Sequence, residues 1–110
     1  MTDLILVYIT CEDKQEAQKV GDHLLKKRLV ACINIIPGME SHYFWPANSS
    51  TIESSRETIL ICKTLESKWE LIEKEVIKIH SYTNPCILAI PVLQITENYS
   101  KWLRTKLREI

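Results

Sequence analysis

Arg28-Leu-Val-Ala-Cys32-Ile-Asn34-Ile-Ile-Pro37-Gly38-Met-Glu-Ser-His42-Tyr43-Phe-Trp45 decides how the rest of this chain is arranged. It opens at the end of a helical pattern and enters a β-branched apolar run, Val30 to Ile36, which reads as a strand. Pro37 cannot donate to a ladder and Gly38 tolerates unusual dihedrals, so the pair marks a bend or bulge rather than the strand's end. Met39 to Trp45 then continues extended. From Ala31 to Trp45 such a ribbon reaches roughly 50 Å, whereas a domain of this size has a radius of gyration of about 13 Å. The ribbon therefore either bends sharply or projects and pairs with something else.

Upstream, Asp13-Lys-Gln-Glu16 has the capping-box arrangement. Ala17, Val20, Leu24 and Arg28 follow at helical spacing, with Leu25 and Leu29 widening the stripe, which predicts a helix over 13–29. Before it, Leu4 to Ile9 is a continuous apolar run, a strand covered on both faces. Downstream, Pro46 to Thr51 is a polar hairpin loop, and Thr58 to Thr64 is the returning strand, starting near Ile52 or Glu53. Ser67-Lys-Trp-Glu70 repeats the capping-box spacing ahead of a second helix whose stripe is Trp69, Ile72, Val76 and Ile79, ending near His80. Ile87 to Val92 is a fourth strand, and Pro91 inside it points to a sheet edge or a bulge. Tyr99, Trp102, Leu103, Lys106 and Leu107 form a short tail helix capped by Thr96 or Asn98.

The order β-α-β-β-α-β plus a tail helix is an α+β, ferredoxin-like split βαβ arrangement, expected as one domain over residues 1–110. Right-handed crossovers place both long helices on one face of a four-stranded antiparallel sheet. Yet the strands around Leu4–Ile9, Ile59–Cys62 and Ile87–Ile90 are apolar on both faces. The tail helix is too small to cover the second face, so other copies of the chain are expected to cover it and the sheet edges.

The 110 residues are 45% hydrophobic and 25% charged, with Lys+Arg 14 against Asp+Glu 14. That balance argues against nucleic acid as the main partner, which requires a basic face. No run approaches the roughly 20 apolar residues of a membrane span. Met-Thr-Asp-Leu-Ile-Leu-Val has no basic region before its apolar run, so no signal peptide and a cytoplasmic location are expected. The four cysteines, Cys11, Cys32, Cys62 and Cys86, form no C-x-x-C pair and read as reduced thiols.

Several stretches resemble the CutA family, named for divalent cation tolerance. They are Val7-Tyr8-Ile9-Thr10-Cys11 with Asp13, and Leu29-Val-Ala31-Cys32-Ile33-Asn34-Ile35-Ile36-Pro37-Gly38. Ser41 with Tyr43 and Trp45, Lys63-Thr64, His80 with Tyr82 and Pro85, Pro91-Val92, and Tyr99 with Trp102-Leu103 extend the likeness over the whole chain. The resemblance implies a ferredoxin-like fold and a homotrimer built by strand pairing between subunits, similar in architecture to the PII signalling proteins. It also implies tolerance to copper and other divalent metals, binding of Cu(II) or related ions in some members, and no established catalytic reaction. His80-Ser81-Tyr82-Thr83-Asn84-Pro85-Cys86 departs from the family's usual His-Pro-Tyr-x-x-Pro-Glu. In some relatives a first-strand cysteine has been proposed as a ligand with that histidine and glutamate; Ile9 stands at that position here.

Two groups of candidate site residues follow. His80 at a helix C-terminus and Cys86 six residues on are the candidate metal ligands, a pair suited to a soft or borderline ion. The competing reading has His80 bonded to a carbonyl or an acidic side chain, with Cys86 packed in the sheet. Cys32, Asn34, Tyr43, Lys63 and Tyr82 are the candidate ligand cleft, with Lys63 available to an anion at a subunit boundary. Tyr43, Trp45 and Trp102 are the expected trimer-interface anchors. Cys32 has no histidine beside it in sequence to act as base, and Thr10-Cys-Glu-Asp13 is acidic where an acylphosphatase carries an arginine loop, so no enzyme is expected. The alternative to a metal-tolerance protein is a PII-like regulatory or structural trimer that binds an anionic small molecule or a partner protein.

Overall fold

The computed structural model describes residues 2–108. Its elements are β1 (Leu4–Cys11), α1 (Lys14–Lys26), β2 (Cys32–Phe44), β3 (Ile52–Leu65), a 3-10 turn (Glu66–Lys68), α2 (Trp69–Ile79), β4 (Ile87–Pro91) and α3 (Glu97–Lys106). The strands lie in the order β2-β3-β1-β4, and every neighbouring pair is antiparallel. This is the expected ferredoxin-like α+β fold. β4 pairs only with β1, so Pro91 sits on an edge strand, where its missing N–H costs no ladder bond.

Strand alternation sorts β1 into two faces. Ile5, Val7, Ile9 and Cys11 point to the helices and join Leu60 and Cys62 of β3, with Ala17, Val20 and Leu24 of α1 and Ile72 and Val76 of α2. Each large aliphatic buried this way contributes about 1.5–3 kcal/mol. α1 lies so close to the sheet at Gly21 that an added Cβ would collide with Ile33 Cδ1. On the other face, α3 covers one end only, where Leu103 and Leu107 pack on Leu4 and Leu65. Beyond it that face stays open: Ile36, Leu88 and Ile90 are 46%, 50% and 43% exposed.

Pro37-Gly38 forms the expected bulge. Ile36 pairs with Ile59 and Met39 with Glu57, so two residues of β2 face Thr58 alone, with Gly38 at φ +80°. Past the bulge the β2–β3 hairpin projects as an arm, and the molecule measures 49 × 26 × 24 Å. The Trp45–Pro46 peptide at its tip is cis.

Three expectations need correction. α1 ends at Lys26, not near 29, because Arg28 turns to φ 59°; its N–H bonds Leu25 O and that of Leu29 bonds Leu24 O. This is a Schellman cap, which peels Leu29 off the helix while keeping it in the core. The second capping box does not form. Ser67 lies inside the 3-10 turn rather than at a non-helical cap position, and Lys68, the N-cap, makes no side-chain cap bond. The fourth strand stops at Pro91, one residue short of Val92.

Candidate functional site

The end of β1, the start of α1 and the turn after α2 meet around His80. Its backbone N–H closes α2 on Val76 O at 2.9 Å, and its side chain is 0% exposed. Nε2 lies 2.8 Å from Thr10 O, and a carbonyl can only accept, so the ring proton sits on Nε2. Nδ1 then accepts the Tyr82 N–H at 3.0 Å. Glu16 Oε2 is 3.8 Å from Nδ1.

Glu16 entered the sequence reading as a helix cap, and it does brace the start of α1. Asp13 Oδ1 accepts the Glu16 N–H at 2.8 Å, while Glu16 Oε1 reaches back to the Glu12 N–H at 2.8 Å. Its second oxygen accepts the Ser81 N–H at 2.7 Å. Burial alone would raise the Glu16 carboxyl, but these backbone donors outweigh it and hold the group below its ordinary value. The Cys11 thiol completes the group. Burial, reinforced by the Glu16, Asp13 and Glu57 carboxylates, pushes it up to about 12, so it is a neutral thiol near pH 7.

The ligand atoms of Cys11, Glu16 and His80 all lie within 4.8 Å of one another. Sulfur, nitrogen and oxygen donors together suit a borderline ion such as zinc or copper. Ligands around a tetrahedral zinc stand roughly 3.3–3.8 Å apart, so a contraction of about 1 Å would close the set. The donor types therefore fit a metal, but only by exchange. The ion would displace the thiol proton, and the Nδ1 lone pair would have to give up its present hydrogen bond.

Cys86, the expected partner of His80, does not join this group. Its carbonyl accepts the Thr10 N–H at 3.1 Å, continuing the β1–β4 ladder in which Ile9 pairs with Ile87. Ile87 packs against the helix-side core, so alternation turns Cys86 the other way, and its thiol is exposed. Within one chain Cys86 is thus neither among the ligand atoms gathered at His80 nor a buried thiol. His80 follows its competing reading at the level of hydrogen bonds, on the Thr10 carbonyl. Period two in β1 was the signal for the missed candidate: Cys11 shares a face with Ile9, two residues along the same strand.

Within one chain the five cleft residues divide among three places. Cys32 pairs with Lys63 and Asn34 with Ile61, which sets Cys32, Asn34 and Lys63 on the open face beside α3. Lys63 Nζ lies 3.4 Å from Tyr99 Oη and 5.4 Å from the centre of its ring. Tyr43 is on the arm, roughly 30 Å further along β2, where its hydroxyl meets Ser55 Oγ at 3.1 Å. Tyr82 belongs to the His80 site. Its ring centre is 4.9 Å from the imidazole, and its hydroxyl donates to Glu57 Oε2 at 2.7 Å. Burial, then Glu57, raises that hydroxyl above its ordinary value. Trp45 at the arm tip is 57% exposed, and Trp102 lies on α3 against Tyr99, ring centres 5.3 Å apart.

A family model described as CutA1 divalent ion tolerance protein matches residues 5–106. The divalent-cation tolerance protein CutA of Archaeoglobus fulgidus is 37% identical over 97 residues, 88% of this chain and 91% of that protein. Protein CutA, chloroplastic, of Arabidopsis thaliana is 33% identical over 94% of this chain, which spans only 56% of that longer protein. A solved structure of the Archaeoglobus protein, described as periplasmic, superposes with a TM-score of 0.89 at 35% identity, covering 94% of this chain and 98% of that one. These descriptions, periplasmic for one relative and chloroplastic for another, correct the cytoplasmic expectation, which has no support among them.

Proposed function

The chain belongs to the CutA1 divalent ion tolerance family, and from that premise we propose that it is a non-catalytic homotrimer that binds a divalent metal ion, copper(II) foremost, through Cys11, Glu16 and His80. The observation that carries this reading is the convergence of three unlike ligand atoms within 4.8 Å, with His80 brought from the far side of the sequence to Cys11 and Glu16 at the β1–α1 junction. Copper stands high in the affinity order of divalent ions, and imidazole and sulfur are among its preferred donors. The exchange cost described above makes the site a responsive one rather than a permanent structural centre.

The homotrimer reading draws support from the half-covered apolar sheet face and from the aromatic arm, whose Phe44, Trp45 and Ile52 are exposed. In it, Tyr43 and Trp45 reach a neighbouring subunit, and the space beside Cys32, Asn34 and Lys63 becomes a cleft between copies. Calorimetric titration with Cu(II) and Zn(II) tests the metal reading. Wild type should bind, and His80→Ala should lose most of the affinity; negligible binding by both would sink it.

One observation favours a second reading, a PII-like trimer that binds an anionic small molecule. Lys63 has Tyr99 as its neighbour and forms no ion pair among the described residues. Titration with nucleoside phosphates and dicarboxylates distinguishes the two: binding lost in Lys63→Ala and kept in His80→Ala would favour the anion.

A further inference from the structure

Resting on the metal reading above, we propose that Tyr82 couples occupancy of the Cys11–Glu16–His80 site to the anchoring of the hairpin arm. The Nε2 proton of His80 is committed to the Thr10 carbonyl, so Nδ1, the nitrogen on the Glu16 side, is the one with a lone pair to offer. That lone pair now accepts the Tyr82 N–H at 3.0 Å. An ion on Nδ1 sits about 2.0 Å from it, in the space held by the Tyr82 amide hydrogen. Tyr82 N must then withdraw by about 2 Å to clear the ion.

That movement pulls on the other end of Tyr82 as well. Its side chain is a rigid ring with two rotatable bonds, packed on the imidazole, and its hydroxyl meets Glu57 at 2.7 Å. A displacement of about 2 Å away from Glu57 carries the hydroxyl beyond hydrogen-bond range. Glu57 pairs with Met39 at the bulge, the base of the projecting arm. Ser81 need not follow, since a carboxylate has lone pairs for both an ion and the Ser81 N–H. Metal on His80 and the Tyr82–Glu57 tie are therefore competing states. The ion releases the arm's base from the turn after α2.

Zinc(II), which is redox-silent toward thiols, is the probe. Hydrogen exchange of the arm is followed by mass spectrometry with and without Zn(II), alongside calorimetric affinity, for wild type, Tyr82→Phe and Glu57→Gln. Zn(II) should raise exchange several-fold in peptides spanning 52–58 of the wild type. Tyr82→Phe keeps the amide and the ring but lacks the tie, so its exchange should already be raised without metal. It should also bind Zn(II) about tenfold more tightly, the weight of one hydrogen bond to a charged acceptor, and Glu57→Gln should move the same way. Wild type that binds Zn(II) with the arm's exchange unchanged, or variants with wild-type affinity, would overturn the coupling and leave the metal reading standing. Absence of Zn(II) and Cu(II) binding in the wild type would overturn both.

Discussion

The two faces of this sheet are built from the same kinds of residue and end in different conditions. Ile5, Val7, Ile9, Leu60 and Cys62 face two helices and are buried. Leu6, Tyr8, Ile59 and Ile61 stand between them in sequence, point the other way, and are only partly covered. Ile36, Leu88 and Ile90 around them are more exposed still. A single chain of this length has helices enough for one face. The apolar side chains on the second face make sense where another copy supplies the cover, and the projecting arm offers a means of reaching it.

Substitutions can break that contrast in order of effect. Leu60→Ala on the covered face removes a fully buried side chain from the centre of the core and should cost about 2–5 kcal/mol of unfolding free energy. Denaturant titration checks this, and a loss well under 1 kcal/mol would mean the face is not packed as described. His80→Ala should cost somewhat less, about 2–3 kcal/mol, because it leaves the Thr10 carbonyl and the Tyr82 N–H without their partner. Gly38→Ala meets no atom within 4 Å, yet φ +80° charges it about 1 kcal/mol of backbone strain. That loss should show as a lower melting temperature with unchanged helix content.

The smallest effect lies outside the sheet. Glu75 of α2 accepts from His23 at 2.8 Å and Lys78 at 3.0 Å, with Lys27 at 3.4 Å, and these partners hold its carboxyl at about 2, from an ordinary value of 4.5. A carboxylate depressed in the folded state favours folding above its unfolded value, and that contribution fades as pH falls from about 4.5 toward 2. Glu75→Gln should therefore narrow the difference in stability between pH 5 and pH 3, measured by urea unfolding at each pH.

Much of the fold was legible because it rests on periodicity and on local chemistry. Short β-branched apolar runs marked the strands, a 3.6-residue period marked the helices, and Pro37-Gly38 and Pro91 announced the bulge and the edge. The misses fell where local rules had competitors. Arg28 entered a left-handed conformation that a cationic side chain gives no sign of, and Ser67 was overtaken by a 3-10 turn. The candidate site was half legible. His80 stood out by chemistry, but its companions are set by long-range pairing: Cys11 by the last residue of β1, Glu16 by a capping role that concealed a second one. Cys86 lies close in sequence, and one step of strand alternation turns it away. The Tyr82–Glu57 tie spans separate elements and left no trace in local spacing.

The claim that the open face is an interface between copies is tested most directly by light scattering of the purified protein, wild type beside Leu88→Lys. The wild type should run as a particle of three chains. Leu88→Lys should be a folded single chain with unchanged helix content, because its position lies outside the helix-covered core. A wild type that runs as a single chain, with Leu88 left in water, would contradict it.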